Sequence, residues 1–447
     1  MGYLKLFVKI LLAFCIQLSV AANQHESDNW LLIDVALVDL KSGSVTQDSS
    51  IWISNGKIEA INPNKVPKEI NRFSGGGRFV IPGLSEMHAH IPNNPEYTDR
   101  VLKLFIAHGV TNIRGMLGHP SHLALREQLN SGNKLGPYLV TSGPSINGNS
   151  VQSPQQAIKK ITQQVKAGYD FHKIHPGLSK ESYRAVTETA SNLGSLWGGH
   201  ISTDVGIVDT VKAGQATIDH LDGFIEELAV RNGGEIANRG FFGFSLAHQV
   251  YDDSIAKLIA ELKPYDYSVV PTETLMQNLA GSGSTDQLMK NPAHRWMPKS
   301  VVDGWKNSRD NFWSNPAITK QQADRFLQVR RILLNEFQKQ GVPILLGSDA
   351  PQWFNVPGDS LHKELELMVE SGLTPLQALQ TGTHNIFAYY RRTHSVGIIK
   401  EGLRADLILL NKNPLESISN SRSIHAVVVA GQFLDRDLLD SLLANLE

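Results

Sequence analysis

VIPGLSEMHAH, residues 80–90, is the stretch on which the fold turns. A run of apolar, strand-forming residues leads into two histidines one residue apart. Successive side chains of a strand point to opposite faces, so His88 and His90 face one way and Ala89 the other. Two imidazoles offered together suit a divalent metal ion, although one such pair is as readily two half-buried histidines. Repetition further along gives the pair its weight. Lys173 (DFHKIH), His200 (GGHIS), His220 (TIDHL) and Asp349 (GSDAP) each lie at or just past the end of a short apolar run. Reactive groups at the C-terminal ends of successive strands are the pattern of a parallel α/β barrel. Singly, His200 and His220 read as core or rim histidines and Asp349 as a helix cap. To dismiss a metal site, all of those plainer readings must hold at once.

Outward from these residues the chain repeats strand, loop and helix. Apolar strand signals end near Met87, Ile113, Thr141, Ile174, Ile201 and Leu221, and residues 267–272 and 343–347 supply two more. Ser179 is placed to cap a helix whose Tyr183, Val186 and Ala190 share one face. After Asp349, Leu361, Leu365 and Met368 recur at helical spacing. Thr374-Pro-Leu-Gln377 then carries a capping box with proline at the first helical position. A long insertion, about 273–340, holds Trp296, Trp305, Phe312 and Trp313. Such insertions cover an active site or build an interface.

Both ends of the chain read as β-structure. Ile51 to Ser54, then Asn55-Gly56, then Lys57 to Ile61 spell a hairpin, because Asn-Gly suits the two positive-φ positions of a type I′ turn. A second strand pair follows Asp406 and is joined at Ala430-Gly431. The expected fold class is therefore α/β. It comprises a (β/α)8 TIM barrel over 79–394 and a small β-sandwich domain built from 23–78 and 395–447.

Residues 1–22 read as a signal peptide, with Lys5 and Lys9 before a short apolar core and small residues Ser19 and Ala21 at the cleavage site. The core is too short to span a membrane comfortably. The expectation is an exported protein, periplasmic or secreted, with no stable membrane anchor after cleavage. Cleavage would remove Cys15, the chain's single cysteine, so a metal site must use nitrogen and oxygen ligands. At 447 residues and 41% hydrophobic the chain can bury a sizeable core. A formal charge of −1 without basic runs implies no nucleic-acid partner.

Lys173 is the discriminating residue. An amine buried beside metal ions is repelled or deprotonated. Reaction with CO₂ would turn it into a carbamate, an anion able to bridge two metals. The histidines allow one ion or two, and Lys173 favours two.

VIPGLSEMHAH, GVTNIRG, DFHKIHPGLSKESY, WGGHIS, AGQATIDHLDGF, ILLGSDAP, GLTPLQALQTGTHN and IIKEGLRADLILL occur in this order. Through them the chain resembles the metal-dependent amidohydrolase superfamily over nearly all its length. It looks closest to the exported prolidase-like and imidazolonepropionase-like branch with a carboxylated lysine. The resemblance implies that His88, His90 and Asp349 hold one divalent ion, and His200 and His220 a second. Carbamylated Lys173 would bridge the two with a hydroxide. Zinc fits such ligands best, with manganese, iron and cobalt open. Asp349 would move the proton from water to the leaving nitrogen. There are departures: Glu86 stands where relatives carry aspartate, and His175 where they often carry a substrate-facing tyrosine. Arg114 could grip a substrate carboxylate or serve as a structural salt bridge.

The implied function is a binuclear hydrolase of amide or peptide C–N bonds, acting on a dipeptide or N-acyl amino acid. Alternatives are a lactonase, a phosphotriesterase-like enzyme or a cyclic-amide hydrolase. The non-enzymatic alternative is a periplasmic metal-binding or solute-binding protein. The partner expected is a small-molecule substrate, and a homo-oligomer is common among relatives.

Overall fold

The computed structural model describes residues 29–390 and 396–447. The leader expected over 1–22 and the domain boundary expected at 394 lie outside them. The N-terminal strands are β1 (Asn29–Asp39), β2 (Ser44–Ser54), β3 (Lys57–Ile61) and β4 (Asn71–Pro82). β2 and β3 form the hairpin read from the sequence: Asn55 and Gly56 take φ of 49° and 74°, the left-handed pair a type I′ turn demands. β1 runs antiparallel to β2 and parallel to β4. Gly83 then carries the chain across to the next sheet. A Cβ there would sit 1.9 Å from Thr111 Oγ1, so only glycine passes. Val80 and Ile81, expected to lead the histidine strand, therefore end β4 instead.

From Leu84 parallel strands alternate with helices. β5 (Leu84–Ala89), β6 (Val110–Gly115) and β7 (Tyr138–Thr141) form one parallel sheet. β8 (Phe171–Ile174), β9 (Leu196–Gly199), β10 (Thr217–Asp219) and β11 (Ser268–Val270) form a second. Isolated parallel bridges join Ser142 to Phe171, Val269 to Ile344 and Ala89 to Ala350. The segment expected as a strand at 343–347 takes part through such bridges and is not a strand itself.

The helices follow their sequence signals. Ser179 accepts from Ser182 N at the start of Lys180–Asn192, which buries Tyr183, Val186 and Ala190. Thr374 makes the capping box with Gln377. The insertion before 340 folds into helices including Glu273–Ala280, Lys299–Ser314 and Lys320–Gln340. The last of these buries Phe326, Leu333 and Phe337 in the main core. Helical segments between β10 and β11 include Phe224–Arg231, Phe241–Gln249 and Asp252–Leu262, the last burying Ile255, Leu258, Ile259 and Leu262 at helical spacing.

The chain returns as β12 (Leu407–Leu410), β13 (Ile424–Val429) and β14 (Gln432–Leu434). These join the N-terminal strands in one seven-stranded sheet, ordered β14-β13-β12-β4-β1-β2-β3. A sandwich of two sheets was expected. Antiparallel pairing of β4 with β12, Val80 opposite Leu409, instead sews both ends of the chain into one sheet. β12 is buried on both faces. Leu407 and Leu409 pack with Trp30, Ile51, Ile53 and Val80, while Ile408 and Leu410 face the main core. Each such side chain contributes about 1.5–3 kcal/mol of burial. The two hairpin turns meet glycine to glycine: a Cβ on Gly431 would lie 2.7 Å from Gly56 Cα. Trp30 Nε1 donates to Gly431 O at 2.8 Å beside them.

Candidate metal centre

The parallel strands bring all six expected ligand residues to one end. His88 lies within β5 and His90 just past it; Lys173 lies within β8; His200 and His220 directly follow β9 and β10. Ring centroids run in sequence around the mouth: His90 to His88 5.4 Å, His88 to His220 4.5 Å, His220 to His200 4.5 Å. Asp349 reaches three of them. Its carboxylate lies 2.8 Å from His90 Nε2, 3.7 Å from His88 Nε2 and 3.8 Å from His220 Nδ1. Lys173 Nζ stands 3.5 Å from His88 Nε2.

The backbone is forced to reach these positions. His220, Asp349 and Thr272 all adopt left-handed φ, between 55° and 65°. Non-glycine residues hold such angles at a cost of order 1–3 kcal/mol, typically at functional sites. Gly199, with φ 126°, lets Lys173 pass: a Cβ there would lie 2.8 Å from Lys173 Cδ and 2.4 Å from Ile174 O.

A set of polar partners orients the ligands. His200 Nδ1 meets Asp222 at 2.7 Å and His220 Nδ1 meets Thr272 Oγ1 at 2.9 Å. His88 Nδ1 lies 2.9 Å from Asp219. Gln352 donates to Asp349 at 2.6 Å. Glu86 accepts from His88 N at 2.9 Å and from the Ser348 hydroxyl at 2.6 Å, tying the first ligand strand to the turn that carries Asp349. Such outer partners fix ring orientation and ligand basicity.

Electrostatics favours neutral imidazoles here. Burial, with Lys173 and neighbouring histidines adding to it, holds His88 and His220 well below the ordinary histidine value and His200 down to about 3. Burial also lowers Lys173, against the pull of Asp219. Burial works against the Asp219 carboxylate, but Arg114 and Lys173 outweigh it and keep it ionised. Deprotonated imidazole and carboxylate are what a divalent cation binds. His88, His220 and Asp349, all buried, can each place a donor atom within 4.8 Å of the others. The donor set therefore fits a divalent metal.

The two expected substrate contacts fare differently. Arg114 is 1% exposed and spends its guanidinium internally. It donates to Met87 O at 2.7 Å and Thr217 Oγ1 at 3.1 Å, and pairs with Asp219 at 3.3 Å. Of the two readings open from the sequence, the arrangement is that of the ion pair, with Asp219 across the strands as its partner. His175 is half-buried, stacks on His200 at 5.2 Å and meets Ser145 Oγ at 2.8 Å, so it does line the mouth. Asp219, Asp222, Thr272 and Phe242 are the residues the sequence reading left unassigned. Asp219 had a signal: it shares with Thr217 the strand face turned to Arg114. Phe242 had none. Its ring lies 5.1 Å from His220 and 5.9 Å from His200 only because Phe242 and Gly243 kink the segment with φ of 45° and 74°.

Known proteins share this architecture. Residues 79–434 match the profile of the amidohydrolase family. An adenine deaminase of Desulforamulus reducens is 22% identical over 401 residues, covering 88% of this chain; the chain spans 56% of that protein's length. An imidazolonepropionase of Geobacillus kaustophilus is 24% identical over 416 residues, covering 82% of this chain and 84% of its own. Among solved structures, a Xaa-Pro dipeptidase with methionine bound in its active site superposes with a TM-score of 0.66. It is 21% identical and covers 91% of this chain and 100% of its own.

Proposed function

The chain belongs to the amidohydrolase family, and from that premise we propose that it is a binuclear metal-dependent hydrolase of amide or peptide C–N bonds. The bridges at Ser142, Val269 and Ala89 support reading the parallel strands as a (β/α)8 barrel whose eighth position is residues 344–350. Export to the periplasm or medium is part of the proposal, supported by the leader-like sequence of residues 1–22. The carrying observation is Lys173, fully buried and 3.5 Å from a ligand histidine. As an ammonium it would oppose a cation there. As a carbamate, formed by reaction of the amine with CO₂ and loss of a proton, it supplies an anion.

His88, His90 and Asp349 would hold one ion, His200 and His220 the other, and the Lys173 carbamate would serve both. Bound divalent ions, zinc foremost, would lower the pKa of a water and polarise the scissile carbonyl. The chain's own groups do the rest. Asp349, held by Gln352 and within reach of three histidines, accepts the proton of the attacking water and returns it to the leaving nitrogen. Asp222 and Thr272 keep their histidines in one tautomer. Phe242 packs its ring against those of His220 and His200.

A dipeptide or N-acyl amino acid is the substrate this reading favours. The test is metal analysis of the purified protein together with Lys173→Ala. We expect about two equivalents of metal in the wild type. In the variant, amidase activity should fall at least about 1000-fold, more than 4 kcal/mol of barrier. A wild type without metal, or a variant with full activity, would refute the mechanism. Lactones and aryl phosphates in the same panel separate the bond types.

A further inference from the structure

Beside the histidines, on the side away from His90, lies a cavity of about 490 Å³ that shares His200, Asp222 and Phe242 with the metal centre. Its size suits part of a small organic ligand. Val205, Ile207, Val230, Phe241 and Phe242 give it apolar walls. A second cavity of about 580 Å³ adjoins it through Pro176, Thr203, Asp204 and Arg239.

Arg239 stands where the two cavities meet. It is half-buried, and its side chain has no hydrogen bond or ion pair among the described residues. The other basic groups nearby are engaged: Lys180 lies 3.7 Å from Asp209 on the exposed rim, and Arg231 pairs with Glu227 at 2.8 Å. Arg239 also sits three positions before Phe242, just ahead of the segment Phe241–Gln249 whose left-handed kink lays that ring against two ligand histidines. A guanidinium with free donors matches a planar anion such as a carboxylate. Four carboxylates share the cavity with it: Asp204, exposed at the junction, Glu227, Asp222, which is held by His200, and Glu226, 8% exposed, with Oε2 unpartnered among the described residues. Burial, with Asp222 beside it, pushes the Glu226 carboxyl up to about 7.

We propose that this cavity receives the apolar residue of the substrate that carries a free carboxylate, and that Arg239 grips that carboxylate. The substrate class is then an N-acyl or aminoacyl derivative of an apolar amino acid. This rests on the amide-hydrolase reading of the site. It places carboxylate recognition on Arg239, since Arg114 is committed to Asp219.

The test compares N-acetylphenylalanine with its C-terminal methylamide on zinc-loaded enzyme. Wild type should favour the free carboxylate by about 10- to 100-fold in kcat/KM, the span of a charged hydrogen-bonded pair. In Arg239→Met the preference should collapse, mainly through KM, and Arg239→Lys should restore part of it. A preference that survives in Arg239→Met, or a wild type that favours the methylamide, overturns the proposal. Calorimetric titration with 3-phenylpropionate separates this from the amide-hydrolase reading, because it needs no turnover. Binding weakened about tenfold in Arg239→Met supports the subsite even if neither amide is cleaved. Equal binding by both proteins overturns it.

Discussion

The mouth of the parallel strands and the seven-stranded sheet both exclude water, and they spend that exclusion in opposite ways. The sheet buries aliphatic side chains in regular register, with Leu407, Leu409, Val428 and Val80 at or near zero exposure. The mouth buries Lys173, Arg114, Asp219, His88 and His220 to the same degree, on a backbone whose left-handed non-glycine residues include His220, Leu221, Phe242, Thr272 and Asp349. In the sheet, burial is itself the stabilising term. At the mouth, burial is a cost offset only by mutual pairing, and the return is a set of deprotonated ligands held in place.

The sharpest way to break this contrast is Asp219→Asn. It removes the carboxylate that pairs with Arg114 and lies 2.9 Å from His88 Nδ1, leaving the buried Arg114 guanidinium without its counter-charge. Stability should fall by about 3–5 kcal/mol, and bound metal should fall with it. Urea denaturation and metal analysis check both. An unchanged midpoint would mean that the mouth is held by something other than this pairing. Leu409→Ala probes the other region. It should cost about 2–5 kcal/mol through the cavity it leaves, with metal content unchanged. A loss of metal there would show the two regions coupled.

The most gradual effect per unit change lies at His362, packed against Ser421 and His108. Its ring is enclosed, with Nδ1 2.9 Å from Ser421 Oγ and Nε2 2.9 Å from His108 O. Burial, aided by Arg422 and His108, lowers it from 6.5 to about 3. Between those values the unfolded chain binds more protons than the folded one. The contribution of His362 to stability is therefore full above pH 6.5 and is lost as pH falls towards 3. The slope is up to about 1.4 kcal/mol per pH unit. Denaturation midpoints measured across that window should flatten in His362→Gln, and an equal slope in both proteins would exclude His362 as the cause.

What was legible in the sequence follows the same division. Period-two alternation and strand ends are local, so His88, His90, His200 and His220 could be placed from the residues beside them. Asn55-Gly56, Ser179 and Thr374 carried their turn and caps in a few adjacent letters. The supporting shell is not local. Glu86 meets Ser348 across 262 positions and Arg114 meets Asp219 across 105, so the sequence left Arg114 open between a substrate contact and a salt bridge, and only the fold supplies its partner. The placing of Phe242 depends on a kink within a helical segment that no pattern announced. The break at Gly83 was hidden because an apolar run does not show which sheet it joins.

The meeting of Gly56 with Gly431 has a consequence for how the molecule is made. β4 finds its partner β12 only after more than three hundred further residues have been synthesised. Until then the nascent chain carries an apolar strand with an open edge, the condition under which strands pair with the wrong neighbour. A chain halted before Leu407 could complete every ligand of the metal centre and still lack the sheet that closes its two ends together. The ligands are translated first and the clasp that joins the ends last.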